Sequence, residues 1–384
     1  MKISMKITDK SNLLNLVNIH GTPLIVIDHD LIKMNYRKFC KNLPSIKPFY
    51  AIKANPESKI VETLYNEGCG FDVASWEEFM IVYNTIKGNH EEKKAFINEN
   101  VIYANPVKRI ESLKKLDDYS IRMTFDNYVE IDKIAKYCKN NRLILRVDVP
   151  NTGSVVELST KFGANPKICL DLISYAKKAG FDVEGVSFHV GSQCSNFDNY
   201  IKAFQIAHNI FEQAKDIEQE LTYLDIGGGF PVPYDENIPS FESLAEIINK
   251  SISEYFDIGK LKIIAEPGRF FVATTATVIV EINGKAMRND KVYYYVNDGI
   301  YNTFSGVIFD HIQYHFKAFK EGSLKESAVV GPTCDALDKI SLNEQLPDLY
   351  IEDLVYSENV GAYTNASATH FNGFPPAKVI HINT

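Results

Sequence analysis

Short apolar runs rich in β-branched and aromatic residues recur along most of the chain, and helical patterns separate them. The runs predict eight strands, at Phe49–Lys53, Gly70–Val73, Asn100–Ala104, Ile121–Phe125, Leu143–Asp148, Glu184–His189, Thr222–Ile226 and Lys262–Glu266. Apolar residues at three- and four-residue spacing predict intervening helices, for example at Ser58–Asn66, Asn127–Lys139, Lys167–Lys178 and Ala203–Glu218. Alternation implies parallel pairing, because each crossover returns the chain to the same end of the sheet. Eight units favour an α/β fold of the (β/α)₈ barrel type over an open doubly wound sheet.

The pattern changes after Arg269, where strands follow one another with only short, weak helical patterns between them. The predicted strands are Thr275–Ile282, Val292–Val296, Ala328–Val330, Leu349–Tyr356 and Lys378–Ile382. They indicate a C-terminal β-rich domain, and Thr22–Ile27 is either an outlying strand of it or the lead-in to the barrel. We therefore expect a barrel at 28–268 and a β-domain made of 1–27 plus 269–384.

Composition and charge argue against several classes of function for this protein. Among 384 residues, 41 Lys and Arg stand against 49 Asp and Glu, giving a net charge of −8. This argues against binding to nucleic acid or to an anionic membrane, which depends on clustered positive charge. No apolar run approaches the ~20 residues of a membrane helix, and the N-terminal MKISMKITDKSN lacks the apolar core of a signal peptide. The six scattered cysteines suit a reducing compartment and show no zinc-site spacing, so we expect a cytoplasmic protein without a metal.

Seven polar or charged residues and one glycine close the predicted barrel strands. They are Lys53, Asp72, Asn105, Asp126, Arg146, His189, Gly227 and Glu266. The C-terminal ends of barrel strands meet at one mouth, where active sites of this architecture lie. Loops commonly begin with a polar residue, which accounts for each of these residues taken singly. The set as a whole predicts an active site.

Three successive glycines, Gly227 to Gly229, follow the seventh predicted strand in the stretch DIGGGFP. Each glycine costs roughly 0.5–1 kcal/mol relative to alanine, and a plain turn needs only one or two. The run therefore predicts that something approaches the backbone closely, and bare N–H groups make an anion cradle. The loops after the last two strands of a barrel often hold phosphate, and Arg269 follows the eighth strand with a guanidinium suited to that group.

A phosphate cradle, a lysine and a carboxylate at one mouth predict pyridoxal phosphate as cofactor. Lys53 would carry the cofactor; it sits in the apolar stretch FYAIKANP, where an ammonium is expensive to bury without a purpose. Glu266 would keep the ring nitrogen protonated, and His189 would stack on the ring.

The motifs together resemble the pyridoxal-phosphate-dependent decarboxylases of basic amino acids with the alanine-racemase fold, and among them the eukaryotic-type ornithine decarboxylases. The resemblance covers nearly the whole chain. It rests on PFYAIKANP, GFDVAS, VIYANPVK, LSTKFG at 158–163, GVSFHVGSQC, LDIGGGFP, AEPGRFFVA, YYVNDGIYNTF, GPTCDALD, ENVGAYT and HFNGF.

The resemblance implies roles residue by residue. Lys53 is similar to the lysine that binds the cofactor, His189 to the stacking residue and Glu266 to the ring-nitrogen partner. Asp72 and Arg146 match residues near the lysine and the ring hydroxyl. The candidate phosphate binders are Ser192, Gly227, Gly228, Gly229, Arg269 and Tyr363, and Gly268 is a further candidate cofactor-binding residue.

Residues of the second domain would act on the substrate. Cys334 matches the thiol that protonates the α-carbon after carbon dioxide leaves. Asp310 and Asp335 match the carboxylates that hold a distal ammonium, with Tyr301 and Phe371 lining that pocket. In the family, the counterparts of Cys334 and Asp335 reach into the partner subunit's site, which implies a head-to-tail homodimer with shared active sites.

The implied reaction is decarboxylation of ornithine to putrescine, a step of polyamine biosynthesis, but other substrates stay open. Lysine is one methylene longer, and a pocket distinguishes one methylene by only ~1–3 kcal/mol, so lysine or dual activity is an alternative. Relatives acting on arginine tend to carry Glu where Asp310 stands. Three departures from the family pattern are Phe309, Gln193 and the 151–157 loop, and the first two leave substrate choice more open.

Three further alternatives are less favoured. A diaminopimelate decarboxylase would need a group for a distal carboxylate, whereas Asp310 and Asp335 suit a cation. A racemase of this fold places arginine at the ring nitrogen and lacks the Cys334 loop. A non-catalytic regulatory homologue would have lost cofactor contacts, and here every such position is filled.

Overall fold

The computed structural model describes residue 7 and residues 9–154, 160–234 and 238–384. The chain divides into two compact units, one formed by Asn35–Gly268 and the other by Met1–Met34 together with Arg269–Thr384. Parts of three segments used above, namely the N-terminal stretch, the 151–157 loop and the LSTKFG motif, lie outside the described residues.

The strands fall into two sheets. In chain order they are β1 (Leu24–Asp28), β2 (Ile46–Ala51), β3 (Gly70–Val73), β4 (Val101–Tyr103), β5 (Arg122–Phe125), β6 (Arg142–Arg146), β7 (Val183–Ser187), β8 (Tyr223–Asp225), β9 (Lys262–Ala265), β10 (Ala276–Arg288), β11 (Lys291–Val296), β12 (Lys317–Ala318), β13 (Lys325–Val330), β14 (Lys339–Leu346), β15 (Leu354–Glu358) and β16 (Lys378–Ile382).

Helices are concentrated between the barrel strands. They are α1 (Lys10–His20), α2 (His29–Asn42), α3 (Ser58–Asn66), α4 (Trp76–Thr85), α5 (His90–Asn100), α6 (Ile110–Leu116), α7 (Tyr128–Tyr137), α8 (Cys169–Lys178), α9 (Asp198–Lys215), α10 (Phe241–Tyr255), α11 (Arg269–Val272) and α12 (Gly306–Phe309). Within the described ranges, no helix has the length and apolar character needed to cross a membrane.

Strands β2 to β9 form a closed barrel in sequence order, and every neighbouring pair is parallel. Closure occurs between β2 and β9, where Ile46 lies opposite Ile263. The strands are nearly continuous buried runs, as expected for a parallel sheet covered by helices on its outer face. The prediction of a (β/α)₈ barrel is confirmed.

Several helices begin almost immediately after a barrel strand because the sequence supplies a capping residue there. The Ser75 hydroxyl accepts a hydrogen bond from the Glu78 amide at 3.1 Å, two residues beyond β3. The Asn127 side chain accepts one from the Glu130 amide at 2.9 Å, two residues beyond β5. Capping of this kind satisfies an amide that the first helical turn leaves without a partner. The connections are therefore short.

The other unit is built on a mixed sheet with the order β12–β15–β10–β11–β13–β14. Strand β1 pairs antiparallel with β10 and parallel with β16, which places it in this unit. The prediction of a β-rich domain is confirmed, and of the two readings of Thr22–Ile27 the structure supports an outlying strand of it. Buried residues of these elements, including Leu24, Val26 and Ile279, form one apolar core.

This sheet differs from the pattern-based expectation at several strands. The run predicted as one strand at 349–356 begins as a turn, in which the Asp353 carboxylate accepts the Tyr350 amide at 2.7 Å, and β15 starts only at Leu354. Strand β14 was not predicted, because its exposed positions carry few β-branched residues and its alternation of buried and exposed residues is irregular.

Candidate functional site

The C-terminal ends of the barrel strands carry the predicted cofactor residues. Lys53 lies in a 3₁₀ turn directly after β2, and Asp72 lies in β3 opposite Ala51. Arg146 ends β6, His189 follows β7, and Glu266 follows β9. The strand order brings these five side chains to the same end of the barrel.

Lys53 and Asp72 form an ion pair, with 3.2 Å between Nζ and Oδ2. The Asp72 side chain is 2% exposed and the Lys53 side chain 45% exposed. The expectation that Lys53 sits on a buried strand is wrong, because the strand ends at Ala51 and the turn lifts the lysine beyond it while Ile52 and Ala54 stay buried. Asp72 thus holds a reachable amine at the barrel mouth.

Three buried carboxyl groups, of Asp72, Asp225 and Glu266, lie close enough to repel one another. Burial raises the pKa of Glu266 well above its usual range, and the charges of Asp225 and Asp72 raise it further. Burial likewise raises the pKa of Asp225 to about 7. One oxygen of each carboxyl group accepts no hydrogen bond from an N–H or hydroxyl group among the described residues, and Asp225 and Glu266 share a hydrogen bond with each other when one of them is protonated. A buried acceptor without a donor costs about 1–3 kcal/mol, so this cluster suits a ligand that brings an N–H donor with positive charge.

A protonated pyridine nitrogen is such a donor, and the residues therefore fit pyridoxal phosphate. The sequence pointed to Glu266 and Asp72 but not to Asp225. The Oδ1 atom of Asp225 accepts a hydrogen bond from the Gly227 amide at 2.8 Å, so Asp225 also fixes the start of the glycine run. No cluster suited to a metal ion occurs among the described residues.

His189 is held in its neutral form. Burial lowers the pKa of His189 well below its usual value, and the positive charges of Arg146 and Lys53 lower it further. The Gly191 amide donates to Nδ1 at 3.1 Å, which leaves the ring proton on Nε2. A neutral imidazole fixed in orientation is suited to stacking on an aromatic ring without adding charge to the site.

The three glycines are required by the protein's own backbone. A Cβ at Gly227 would lie 2.2 Å from the Phe188 carbonyl oxygen, and one at Gly229 would lie 2.3 Å from that of Gly191. Both residues have positive φ angles, 65° and 95°, which favour glycine. The sequence predicted that some group approaches the glycine backbone closely, and carbonyl oxygens of the protein's own backbone do so. The amides of Gly228 and Gly229 nevertheless donate to no acceptor among the described residues, so they can bind an anion.

Gln193 links two loops that carry candidate phosphate binders, the loop of Ser192 and the loop of the glycine run. From the sequence it was only a departure from the family pattern. Its side-chain amide donates to the Val232 carbonyl at 3.0 Å and accepts the Val232 amide at 2.8 Å. The neighbouring Cys194 amide donates to the Gly229 carbonyl at 2.9 Å. Ser192 lies half-buried in the same loop. These contacts fix the loop of Ser192 against the glycine run.

Two other polar residues that follow barrel strands bind backbone amides of loops. The Asn105 side chain accepts the Val107 amide of its own loop at 3.2 Å, and Asp126 accepts the Gly163 amide of the connection after β6 at 2.9 Å. These contacts account for Asn105 and Asp126 without a ligand. Gly268, a candidate cofactor-binding residue, packs against Ala51 and Ala54, and a Cβ there would lie 3.0 Å from that of Ala54.

In the second unit, Arg269 and Asp310 form a buried ion pair with a separation of 2.8 Å. Their side chains are 6% and 11% exposed. The Arg269 guanidinium also lies 4.7 Å from the centre of the Tyr363 ring. The sequence placed Arg269 with the phosphate and Asp310 with the substrate, so their direct contact was not foreseen. The ion pair couples the charge of a candidate phosphate binder to the charge of a candidate substrate binder.

The remaining predicted substrate residues form one partly exposed cluster. The Cys334 thiol is exposed, and its backbone amide donates to the Asn372 side chain at 3.1 Å. Asp335 accepts hydrogen bonds from the Leu337 backbone amide and from the Tyr301 hydroxyl, which lower the pKa of its carboxyl group. Tyr301 stacks on Phe371 with 4.2 Å between ring centres. An ionised carboxylate beside stacked aromatic rings suits an alkylammonium ion.

Asp338, which the sequence did not single out, positions this cluster. Its buried carboxylate accepts the amides of Ile300 and Thr333 at 2.9 and 3.0 Å. A Cβ at Gly299 or Gly331 would lie 2.3 or 2.1 Å from Asp338 Oδ1, so both glycines make room for the carboxylate. The contacts tie the Tyr301 segment to the Cys334 segment. The signal that could have revealed this role is the glycine that precedes each segment.

Comparison with known proteins agrees with this geometry. The family model described as the pyridoxal binding domain of pyridoxal-dependent decarboxylases matches residues 29–273. The chain belongs to this family. It is an enzyme family whose cofactor is pyridoxal phosphate, and the fold is that of its alanine-racemase-type members.

Similar proteins carry more than one name. Antizyme inhibitor 2 of Xenopus laevis is 39% identical over 91% of this chain and 78% of its own length. Lysine/ornithine decarboxylase of Selenomonas ruminantium is 38% identical over 94% of this chain and 89% of its own. Ornithine decarboxylase of Mus musculus is 37% identical over 92% and 78%. The structure of lysine/ornithine decarboxylase from Vibrio vulnificus complexed with putrescine is 33% identical, covers 99% of both chains and has a TM-score of 0.89.

The carboxyl cluster predicts how the stability of the cofactor-free protein depends on pH. Asp225 has an ordinary unfolded-state pKa near ~4 and a raised folded-state pKa of about 7. Stability is therefore highest below the unfolded value and falls as pH rises through the folded one. Asp225→Asn keeps an oxygen for the Gly227 amide but cannot ionise, so its free energy of unfolding should fall less between about pH 5 and about pH 8.

The measurement is urea unfolding of the cofactor-free protein at both pH values. Asp171→Asn, at an exposed position in α8, is the control and should follow the parent protein. Equal pH slopes for Asp225→Asn and the parent would contradict the assignment of this carboxyl group.

Proposed function

We propose that the protein decarboxylates L-ornithine to putrescine. The observation that carries this proposal is the ionised Asp335 beside the Tyr301–Phe371 ring stack and the exposed Cys334 thiol. A carboxylate and aromatic faces recognise a distal ammonium, and a thiol nearby can supply a proton. The identity to ornithine decarboxylase of Mus musculus supports the same substrate.

The roles follow from the contacts of each residue. Pyridoxal phosphate, when bound, supplies an electron sink for the pair released as carbon dioxide leaves. Glu266 would accept the N–H of the ring nitrogen and keep it protonated, and neutral His189 would hold the ring face. Lys53 would bind the cofactor through Nζ, which Asp72 orients, while Arg146 sits close enough to His189 to lower its pKa.

The proposal assigns phosphate binding to Ser192, Gly227, Gly228, Gly229, Arg269 and Tyr363, and a further contact with the cofactor to Gly268. The unshared amides of Gly228 and Gly229 support the assignment in the barrel, and the buried guanidinium of Arg269 supports it in the second unit. Cys334 would protonate the former α-carbon, with the proton leaving Sγ.

Lysine is the second candidate substrate. The Selenomonas ruminantium relative and the Vibrio vulnificus neighbour both carry the name lysine/ornithine decarboxylase. One methylene changes binding by only ~1–3 kcal/mol, so the enzyme would decarboxylate both ornithine and lysine, at different rates.

A homodimer with shared sites is part of the proposal. Cys334 and Asp335 lie in an exposed loop, and the nearby Leu337 and Phe371 side chains are 66% and 39% exposed. Exposed apolar side chains beside functional groups suit burial against a second subunit.

The decisive experiment is carbon dioxide release from ornithine, lysine, arginine and diaminopimelate with the purified protein and pyridoxal phosphate. We expect the highest kcat/KM for ornithine, weaker turnover of lysine and none of diaminopimelate. If the protein releases carbon dioxide from none of the four amino acids, the decarboxylase assignment is rejected for this chain. This holds whether or not the protein shows the visible absorption band of the bound cofactor. A higher kcat/KM for lysine than for ornithine would replace the substrate.

Substitutions at the two candidate ammonium binders should separate their roles. Asp310→Asn should raise KM for ornithine roughly tenfold or more, because it removes a buried charge partner. It should also tighten cofactor binding, because Arg269 loses the carboxylate that neutralises it. Asp335→Asn should raise KM while the dissociation constant of the cofactor, followed by absorbance, stays the same. Unchanged KM values would remove both residues from the substrate pocket.

Mixing two inactive variants tests the shared site. If Lys53 and Cys334 of one site come from different subunits, a mixed dimer of Lys53→Ala and Cys334→Ala has one intact site and one with both lesions. Random exchange gives about half mixed dimers, so roughly a quarter of the parent activity should return. Mass-tagged chains verify the exchange. Complete exchange with no recovered activity would show that each site is built from one chain.

A further inference from the structure

A cavity of about 390 Å³ opens at the end of the barrel opposite to Lys53 and Glu266. Its charged lining comes from residues at or near the beginnings of β5, β6, β7 and β9, namely Arg122, Arg142, Glu184, Lys260 and Lys262. None of these residues takes part in the proposed reaction, so the cavity needs an explanation of its own.

Two guanidinium groups share one carboxylate in this cavity. Arg122 Nε lies 2.7 Å from Glu184 Oε2, and Arg142 Nη1 lies 3.3 Å from Glu184 Oε1. Both arginines also donate to the Asn98 carbonyl, and they face each other in register on adjacent strands. One carboxylate neutralises one guanidinium, so a positive charge is left over in a fixed position. Arg142 Nε is buried without an acceptor among the described residues.

Further cations adjoin the arginine pair. Lys262 is 3.1 Å from Glu99, and Lys260 is 3.9 Å from Asp257. Burial lowers the pKa of the nearby Lys47, and the positive charges of Lys262 and Arg122 lower it further. Among the described residues, these contacts bring together five cations (Arg122, Arg142, Lys260, Lys262 and Lys47) and three carboxylates (Glu184, Glu99 and Asp257), in a chain whose net charge is −8.

We propose that this cavity binds the phosphate group of a small molecule, at a site separate from the cofactor. Guanidinium groups recognise oxyanions by paired hydrogen bonds, and an anion would offset the repulsion among the clustered cations. The volume lies within the ~300–1,000 Å³ typical of small-molecule sites.

The test is isothermal titration of the holoenzyme, saturated with pyridoxal phosphate, with pyrophosphate at constant ionic strength. The cofactor's own phosphate then occupies the site at the opposite end of the barrel. We expect saturable binding of one pyrophosphate per chain. Arg142→Gln should weaken it about tenfold or more, because a charge-assisted contact is lost. Lys262→Gln, at a side chain 66% exposed and therefore safe for folding, should weaken it about threefold.

Lys202→Gln is the matched control, because it removes the same charge from an exposed position in α9 outside the cavity. It should bind pyrophosphate like the parent protein. Titration with citrate distinguishes a carboxylate ligand from a phosphate ligand. Absence of saturable pyrophosphate binding, equal affinity in Lys262→Gln and Lys202→Gln, or binding of citrate alone would each overturn the proposal.

Discussion

Electrostatic repulsion among Asp72, Asp225 and Glu266 is the constraint around which the barrel mouth is organised. Burial raises the pKa values of Asp225 and Glu266, and the charges of neighbouring carboxylates raise them further, so the three groups cannot all ionise unless positive charge is brought to them. Lys53 supplies one positive charge within the chain. In the proposed function, the protonated ring nitrogen of the family's cofactor would supply a second. Binding of the cofactor and relief of the repulsion among the carboxyl groups would then have the same cause.

Geometry at this mouth depends on backbone packing as much as on charge. The glycine run lets three loops approach so closely that no Cβ fits at Gly227 or Gly229. Gln193 and Asp225 then fix the run from two sides by hydrogen bonds to its own or neighbouring amides. Amides that are held in place and have no acceptor lose little entropy when an anion binds, which is the physical basis of preorganisation.

The barrel could be predicted from the sequence because its strands are buried on both faces and therefore appear as continuous apolar runs. The residues at strand ends followed from the topology. What the sequence could not show were contacts between distant segments: Asp225 with Glu266, Gln193 with Val232, and Asp338 with Thr333 and Ile300. Lys53 was misjudged for a related reason, since the point at which β2 gives way to a turn depends on its neighbours in the barrel.

The ion pair of Arg269 with Asp310 bears on how a distal ammonium would be recognised in the proposed reaction. Arg269 neutralises Asp310, so a pocket that contains both residues presents little net charge from that pair. Asp335, whose carboxylate is held ionised by neutral donors, then supplies the net negative charge. One unbalanced carboxylate matches one ammonium. A substrate with an additional distal carboxylate would leave a negative charge without a partner, and for this reason the charge balance favours a simple diamino acid over diaminopimelate.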